Sequence, residues 1–464
     1  MTGVSSIRLS NSWKLSAGGI CVIVVLTLWH ALGAPGPPLY WGIVAAALMI
    51  LVRERRRIGR NLAIMASSLV AVTLLLLPAG QDPGLGFERG VYIGSLLVSL
   101  VASVSILGGC ALRSPVVSVV GDCLLTFPAF RRYVPFTLTS QVFSAMLSLA
   151  GTNVLFAIAA RDEASPRRPR IAMFSAITRG FSAATFWSPM FGNMAILLAL
   201  YPSLNWLTVL PLGFVLAQLT VVVGACLDRS GCRQAKEERD RIPWPPGALR
   251  AAATLLAIML AYLVALVLVS AASGLSITSC IVLLTPLAAI LINTATAARP
   301  GRVTNGLRAL WGDLSHLPKI APEILIFMVA GCAGTIIADA IPAAWVSALS
   351  SHLAPAPWLG ISTLMVAIMM LSVLGVHPVL SAVLLASTLP PQMLALPALP
   401  HFGAVLMGWG LAASLTPFSV LNLTASRQSG IALMRISVGA NWRFTMVCLV
   451  LVTLILSLLV PVTR

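Results

Sequence analysis

Two stretches of the chain share one order of residue types. Residues 180–193 read GFSAATFWSPMFGN, and residues 410–422 read GLAASLTPFSVLN. In each, small residues lead to a hydroxyl residue followed by proline, and an asparagine comes shortly after. Each stretch lies inside an apolar segment long enough to cross a bilayer. Such paired interruptions in the two halves of a chain are typical of the substrate sites of secondary transporters.

The prolines define the chemistry that these stretches could support. Proline cannot donate a backbone hydrogen bond, so Pro189 and Pro417 should free carbonyl groups within a spanning helix. Freed carbonyls can coordinate a cation, and the N-terminus of a half-helix can face an anion. The polar side chains nearby are Ser188, Asn193, Ser414, Thr416, Ser419 and Asn422. The alternative is an ordinary kink, in which each hydroxyl bonds to the carbonyl four residues earlier.

The composition indicates a polytopic membrane protein. Of 464 residues, 58% are hydrophobic and only 9% are charged, and many apolar runs reach spanning length. The net charge of +17 comes from basic residues in short loops between these runs. That distribution follows the positive-inside rule and does not indicate a nucleic-acid surface. The eight cysteines form no CxxC or Cys/His cluster, so neither a disulfide framework nor a metal site is predicted.

The first 60 residues predict an N-terminal unit of two spans. The apolar stretch 17–34 resembles a signal peptide in length, but the prolines at 35–38 lead directly into a second apolar run. An uncleaved first helix is therefore favoured over a signal peptide. The basic run at 53–60 predicts a cytoplasmic loop, and so a multi-pass inner-membrane protein with a cytoplasmic N-terminus.

Charge and length disagree over residues 133–160. The following loop, 161–170, carries four arginines, so a single crossing would put it outside, against the charge rule. Two crossings need about 40 residues, and only 28 are present. A re-entrant hairpin resolves both problems, with a tip where Gly151, Thr152 and Asn153 interrupt the apolar pattern. Thr152 and Asn153 would then either line a site or cap the tip helices.

The second half repeats this plan. Residues 361–389 form another apolar stretch, broken at its centre by Gly375, His377 and Pro378, and charge predicts that this hairpin enters from outside. The sequence therefore predicts an all-α polytopic membrane protein of about 11 transmembrane helices plus two re-entrant hairpins, in an inverted-topology repeat. The predicted segments are an N-terminal unit 1–60, a first repeat 61–228 with hairpin 133–160 and broken helix 171–201, a linker 229–249, and a second repeat 250–464 with hairpin 361–389 and broken helix 401–426.

Two ionisable residues fall inside predicted spans. His377 can either take part in proton coupling or substrate binding, or pack at the hairpin tip and bond a carbonyl. Arg179 lies about 13 Å into its span at 1.5 Å per residue. It should therefore face a cavity, a carboxylate or an anionic substrate, unless its side chain extends to the cytoplasmic surface.

These elements resemble the ion transporter superfamily, and most closely its divalent-anion/sodium symporter branch. That branch carries a Ser-Asn-Thr signature at each hairpin tip and a Thr-Pro-rich break in the helix that follows. This chain is similar at Gly151-Thr152-Asn153 and departs at Gly375-Val376-His377-Pro378, with Ser381 beyond. The resemblance implies a transporter fold, but it transfers neither a substrate nor a coupling ion.

The sequence thus predicts a secondary active transporter of a small anionic organic solute, coupled to Na⁺ or H⁺, working by alternating access. Its expected partners are that solute and the lipid bilayer, with a homodimer as one assembly, and neither nucleic acid nor a cofactor is expected. Two alternatives stay open: a membrane-embedded enzyme acting on a lipid-linked substrate, and a non-transporting assembly subunit. The enzyme would need clustered acids, histidines or a metal motif, and the sequence offers none.

Overall fold

The computed structural model describes residues 12–34, 36–112, 115–128, 131–162, 167–232, 245–296 and 302–463. These residues are mostly helical and form no strands. The helices are α1 Ser12–Ala31, α2 Pro37–Arg53, α3 Arg60–Leu76, α4 Pro83–Leu112, α5 Pro115–Thr126, α6 Tyr133–Leu147, α7 Leu149–Ala160, α8 Arg167–Thr185, α9 Gly192–Leu200, α10 Trp206–Cys232, α11 Ala248–Ser273, α12 Ile277–Thr296, α13 Arg302–Leu314, α14 Ala321–Ala340, α15 Ala343–Leu353, α16 Pro357–Val373, α17 Pro378–Thr388, α18 Ala398–Leu415, α19 Val420–Ser429 and α20 Ala440–Thr463.

Within this described part, nine helical stretches are long and apolar enough to cross a membrane. Four shorter apolar helices accompany them, and these are α2, α7, α16 and α17. The chain is therefore an all-α polytopic membrane protein, as its composition predicts. Most of the predicted linker, residues 233–244, lies outside the described residues.

Helices α4 and α14 pack against each other in antiparallel directions. Gly86 lies beside Ile336, whereas Gly94, further along α4, lies beside Met328, which comes earlier in α14. The approach is close enough that a Cβ at Gly331 would come within 2.7 Å of the Gly90 carbonyl oxygen. Small residues let helix backbones approach in this way in membrane proteins, where dispersion contacts replace the hydrophobic effect. We call this closely packed pair the α4–α14 wall.

Two helical hairpins and two broken helices follow the same order in each half. The first half runs through hairpin α6–α7, broken helix α8–α9 and long helix α10, and the second through α16–α17, α18–α19 and α20. Contacts between the halves are crossed, because α7 packs on α19 whereas α17 packs on α9. Each hairpin therefore touches the broken helix of the opposite half.

The first hairpin occupies the predicted range 133–160, and its two ends meet. Arg132, before α6, forms a salt bridge with Asp162, after α7, and donates hydrogen bonds to the carbonyls of Phe127 and Leu125. The turn lies at Ser148, with φ of 50°. Gly151, which the sequence suggested as part of the interruption, lies inside α7 instead. A Cβ on it would come within 2.6 Å of the Phe143 carbonyl oxygen, so its role is close packing across the hairpin.

Candidate functional site

The first broken helix is bonded to the tip of the first hairpin. Between α8 and α9, the Ser188 hydroxyl donates to the Ala145 carbonyl at 2.6 Å. The same oxygen accepts from the backbone N–H of Met190 at 3.2 Å. The hydroxyl thus does not bond back into its own helix, as the ordinary-kink alternative requires. It joins the break to the last turn of α6.

The second break repeats this arrangement with a threonine. Between α18 and α19, the Thr416 hydroxyl donates to the Ser372 carbonyl at 2.6 Å, and it accepts from the Phe418 N–H at 3.2 Å. Ser372 belongs to the last turn of α16, just as Ala145 belongs to the last turn of α6. The hydroxyl before each proline therefore makes the same two bonds to equivalent partners.

The two asparagines satisfy carbonyls that the breaks set free. Asn193 Nδ2 donates to the Thr185 carbonyl at 3.1 Å. Asn422 Nδ2 lies 2.8 Å from the Ser414 carbonyl and 2.9 Å from that of Thr416. Each of these carbonyls therefore already accepts a hydrogen bond from an asparagine amide. Asn422 Oδ1, in contrast, is buried without a hydrogen-bond partner, and a buried unpaired acceptor is costly unless a ligand uses it.

The predicted residues Ser414 and Ser419, together with Asn441, which the sequence did not suggest, build the second half of the site. Ser419 is the N-cap of α19, since its hydroxyl accepts from the Asn422 N–H. Asn441, at the start of α20, donates to the Ser414 carbonyl at 2.9 Å. The Ser414 carbonyl is thus shared between two amides, whereas the Ser414 hydroxyl bonds within its own helix, to Leu411.

At the first hairpin, Thr152 and Asn153 have different surroundings. The Thr152 hydroxyl is buried and lies 2.8 Å from the Ser144 hydroxyl across the hairpin. Asn153, one residue on, is exposed. An exposed amide within a short apolar helix belongs in a water-filled cavity or against another protein surface, because lipid cannot satisfy it.

At the second hairpin, the turn between α16 and α17 is built by glycine and histidine. Gly375 has φ of +96°, which L-residues rarely adopt. His377 is the N-cap of α17, with Nδ1 accepting from the Val379 N–H, and Pro378 occupies the first helical position. One turn on, the Ser381 hydroxyl is buried and has no hydrogen-bond partner.

The two breaks differ in exposure despite their matching bonds. Met190, which follows Pro189, is 3% exposed, whereas its equivalent Phe418, which follows Pro417, is 64% exposed. Leu374, at the turn of the second hairpin, is also largely exposed. The residue after the first proline is therefore covered by protein, and the residue after the second is not.

Arg179 is buried and engaged by the chain itself. Its guanidinium donates to Asn441 Oδ1 at 2.9 Å and to the Ala440 carbonyl at 2.8 Å. It also lies 3.3 Å from the Tyr133 hydroxyl and 4.5 Å from the centre of the Phe444 ring. This environment ties α8 to the start of α20, and it leaves the guanidinium no free face for an anionic solute here.

A cleft of about 590 Å³ opens where α4 and α14 face α9 and α17. Its lining includes Arg89 and Asp339, and Asp339 Oδ2 accepts from the Asp82 N–H at 3.0 Å. A second cleft of about 570 Å³ shares Tyr92 and Pro202 with the first. Both clefts lie at the end of the molecule where α4 begins, since Tyr92 and Pro202 line each of them.

Sequence reasoning missed two residues that join the hairpins to the opposite broken helices. Arg170, in the first turn of α8, donates to the Ser429 carbonyl at the end of α19 and to the Asp162 carbonyl, both at 3.1 Å. His401, in the first turn of α18, contacts the Tyr201 hydroxyl at 2.6 Å and the Leu389 carbonyl at 2.8 Å. Neither residue lies in a motif that the sequence marks, and their partners are distant in sequence.

Neither the protein-family models nor the curated proteins match this chain. Among solved structures, the YdaH transporter of Alcanivorax borkumensis, described as having an unusual topology, matches with a TM-score of 0.51. The identity is 15%, over 80% of this chain and 85% of that one. MtrF of Neisseria gonorrhoeae, described with a class of antimetabolite efflux pumps, matches with a TM-score of 0.55 and 15% identity, over 99% of this chain and 96% of that one.

The chain has the fold of known membrane transporters. At 15% identity the two likenesses show the fold alone. Both neighbours are transporters rather than enzymes, which agrees with the transport class that the paired breaks predict. The solute and the coupling ion are outside what such a likeness shows.

Proposed function

We propose that this protein is a secondary active transporter of a small anionic organic solute, with the solute site between the two hairpin tips and the two helix breaks. The observation that carries the proposal is the duplicated pair of bonds made by Ser188 and Thr416. Two unrelated helix kinks are not expected to share the same pair of hydrogen bonds. Such a match is expected where one site is built from two halves.

The preference for an anion rests on helix ends. The N-termini of α7 and α17 lie at the hairpin turns, and those of α9 and α19 lie at the breaks. Helix N-termini carry partial positive charge, so a site between these four ends would favour a carboxylate or an oxyanion. Because Arg179 is occupied by Asn441 and Ala440, we assign charge recognition to these helix ends.

For coupling, we favour Na⁺ over H⁺. Asn422 Oδ1 and the Ser381 hydroxyl are buried and unpaired, and neutral oxygens suit a hard monovalent cation. His377 Nδ1 is engaged as an acceptor from Val379, so protonating it would remove the cap of α17.

Alternating access would follow from movement of the hairpins and broken helices relative to the α4–α14 wall. The two clefts lie between these two groups of helices, which is where such movement would open and close a path. In this proposal the two halves form an inverted repeat in the inner membrane, with the N-terminus in the cytoplasm. A homodimer would keep the α4–α14 wall fixed while the other helices move.

Transport by the purified protein in vesicles tests the proposal. We expect one class among di- and tricarboxylates, sugar acids, antimetabolites and inorganic oxyanions to be taken up or released in a manner driven by a Na⁺ gradient. Thr416→Val, which removes both bonds but keeps the branched shape, should reduce that rate by about tenfold or more.

Ser457→Ala is the matched control. Its hydroxyl bonds only within α20, to Thr453, so the Na⁺-driven rate should stay at the wild-type level. No flux of any of these solutes in either direction, from protein that is folded and inserted, would contradict the proposed function. Flux indifferent to Na⁺ but driven by pH would contradict the choice of ion alone.

A further inference from the structure

A surface away from the proposed solute site combines exposed apolar side chains with a cluster of cations. On α13, Val303, Leu307 and Trp311 are 62%, 50% and 55% exposed. They are spaced four residues apart and so lie on one face of the helix. Another side of the helix is packed, since Gly306 lies against the backbone of Thr294. α13 therefore has an exposed apolar strip, which Trp13 of α1 covers in part at Trp311.

α13 packs along the C-terminal end of α12. Adjacent residues Asn293 and Thr294 of α12 contact Asp313 and Gly306 respectively. Cys110 Sγ of α4 approaches both the Ala289 carbonyl and Asp313 Oδ2. Because α12 is one of the spanning helices and α13 lies at its end, the exposed side of α13 is placed near a membrane boundary.

A cluster of basic side chains lies near α13, and contacts made by α1 hold the two together. Trp13 packs edge-on against Trp311, with ring centres 5.1 Å apart. One turn further along α1, the Ser16 hydroxyl donates to Glu54 at 2.7 Å, and Arg57 donates to the same carboxylate at 2.6 Å. The loop that begins at Arg53 is thereby held within about one helical turn of the Trp13–Trp311 contact.

This brings Lys14, Arg53, Arg55, Arg56, Arg57 and Lys319 to one region, and all six are exposed. Lys319 joins them because the short helical turn Leu317–Ile320 packs on α1. The acids described in this region are Glu54, which is bonded to Ser16 and Arg57, Asp313, which is buried, and Glu323, which is half-buried in the first turn of α14. The exposed surface is thus strongly cationic beside an apolar helix face flanked by tryptophan.

We propose that α13, Trp13 and the 53–57 loop form a binding surface for anionic phospholipids of the leaflet that they contact. The apolar face of α13 would enter the boundary between headgroups and acyl chains, where tryptophan is favoured. The arginines and lysines would bind the lipid phosphates, each cation near an anionic surface strengthening the attraction. Bound lipid would fasten the two-span N-terminal unit to α12–α14. This surface is independent of the solute site.

The test uses the full-length protein purified in detergent, with phosphatidylglycerol or phosphatidylcholine of the same acyl chains. Native mass spectrometry counts bound lipid, and thermal unfolding reports stabilisation. We expect phosphatidylglycerol to stay bound and to raise the unfolding temperature more than phosphatidylcholine does. The double variant Arg55→Gln/Arg56→Gln should weaken phosphatidylglycerol binding about 30-fold. Arg57 is left intact because it bonds Glu54.

The control is Arg167→Gln/Arg168→Gln, two exposed arginines on α8, which should bind the lipid like the wild type. Equal stabilisation by the two lipids would overturn the proposal. So would selective phosphatidylglycerol binding that the Arg55/Arg56 double variant leaves unchanged, or that the control variant weakens as much. Leu307→Ser should also lower retention of the anionic lipid, because it interrupts the apolar face without changing charge.

Discussion

At the scale of single residues, the hydroxyl that precedes each proline is the most informative group in the chain. Its type and position predict a role at the break, and the structure shows which carbonyl group the hydroxyl bonds. Ser188 and Thr416 each reach a carbonyl in the neighbouring hairpin, 43 and 44 positions away in sequence. That partner could not be predicted from sequence, because a local motif contains no information about which turn of another helix will face it.

The most specific prediction for a single residue concerns His377. The structure gives its Nδ1 the role of N-cap on α17, and asparagine is an equally good N-cap whereas alanine is not. We therefore expect His377→Asn to keep the wild-type unfolding temperature and Na⁺-driven transport, and His377→Ala to lose about 1 kcal/mol of stability. Thermal unfolding and vesicle transport of the two variants make the comparison.

The opposite pattern would show that the imidazole matters in itself. If His377→Asn folds normally but loses transport or its dependence on pH, the ring is a coupling or substrate-binding group and the capping role is secondary.

Arg179 shows how charge and depth predict the kind of environment but not its members. A guanidinium within an apolar segment predicts a cavity or a charged partner. Its neighbours include an amide, a carbonyl, a phenol and an aromatic ring, and it also interacts electrostatically with the Asp228 carboxylate. These partners come from α6, α10 and α20, which flank α8 only in three dimensions.

At the scale of elements, segment lengths and arginine positions predict a re-entrant hairpin at 133–160, and the structure has two helices, α6 and α7, joined by a tight turn within that range. The turn itself was not evident, because Ser148 adopts its positive φ without the glycine or proline that usually marks a turn. The broken helix predicted at 401–426 extends in the structure from Ala398 to Ser429. His401 was overlooked because it follows the proline-rich stretch 390–400, which reads as a loop.

The contacts of His401 can be tested as an element-level link. Its Nε2 faces the Leu389 carbonyl, which only accepts, so Nδ1 is the acceptor for the Tyr201 hydroxyl. Tyr201→Phe leaves that acceptor unpaired in a buried place, at a cost of about 1–3 kcal/mol. We expect Tyr201→Phe and His401→Leu each to lower the unfolding temperature, and the double variant to lower it by less than the sum.

Additive losses in that cycle would mean that the two side chains contribute separately, and the link between α9 and α18 would not be an energetic one. Tyr262→Phe serves as a comparison variant. It removes a hydroxyl that bonds Thr285, between α11 and α12, at 2.7 Å. That contact lies outside the hairpins and the broken helices.

At the scale of the whole molecule, the central claim is that the two halves face opposite sides of the membrane. Arg170 joins its hairpin and broken helices at the end where Arg132, Asp162 and Ser429 meet. His401 does the same for the other hairpin, beside Tyr201 and Leu389. If the first set lies at the cytoplasmic face, as its arginines predict, the second lies outside, and transport can alternate between the two.

Side-specific cysteine labelling tests that claim most directly. Arg168 follows the first hairpin and Gln392 follows the second, and both side chains are exposed. With a membrane-impermeant maleimide and the wild-type protein as control for native cysteines, Gln392→Cys should react in intact cells. Arg168→Cys should react only after the membrane is permeabilised. Labelling of both positions from the same side would contradict the account.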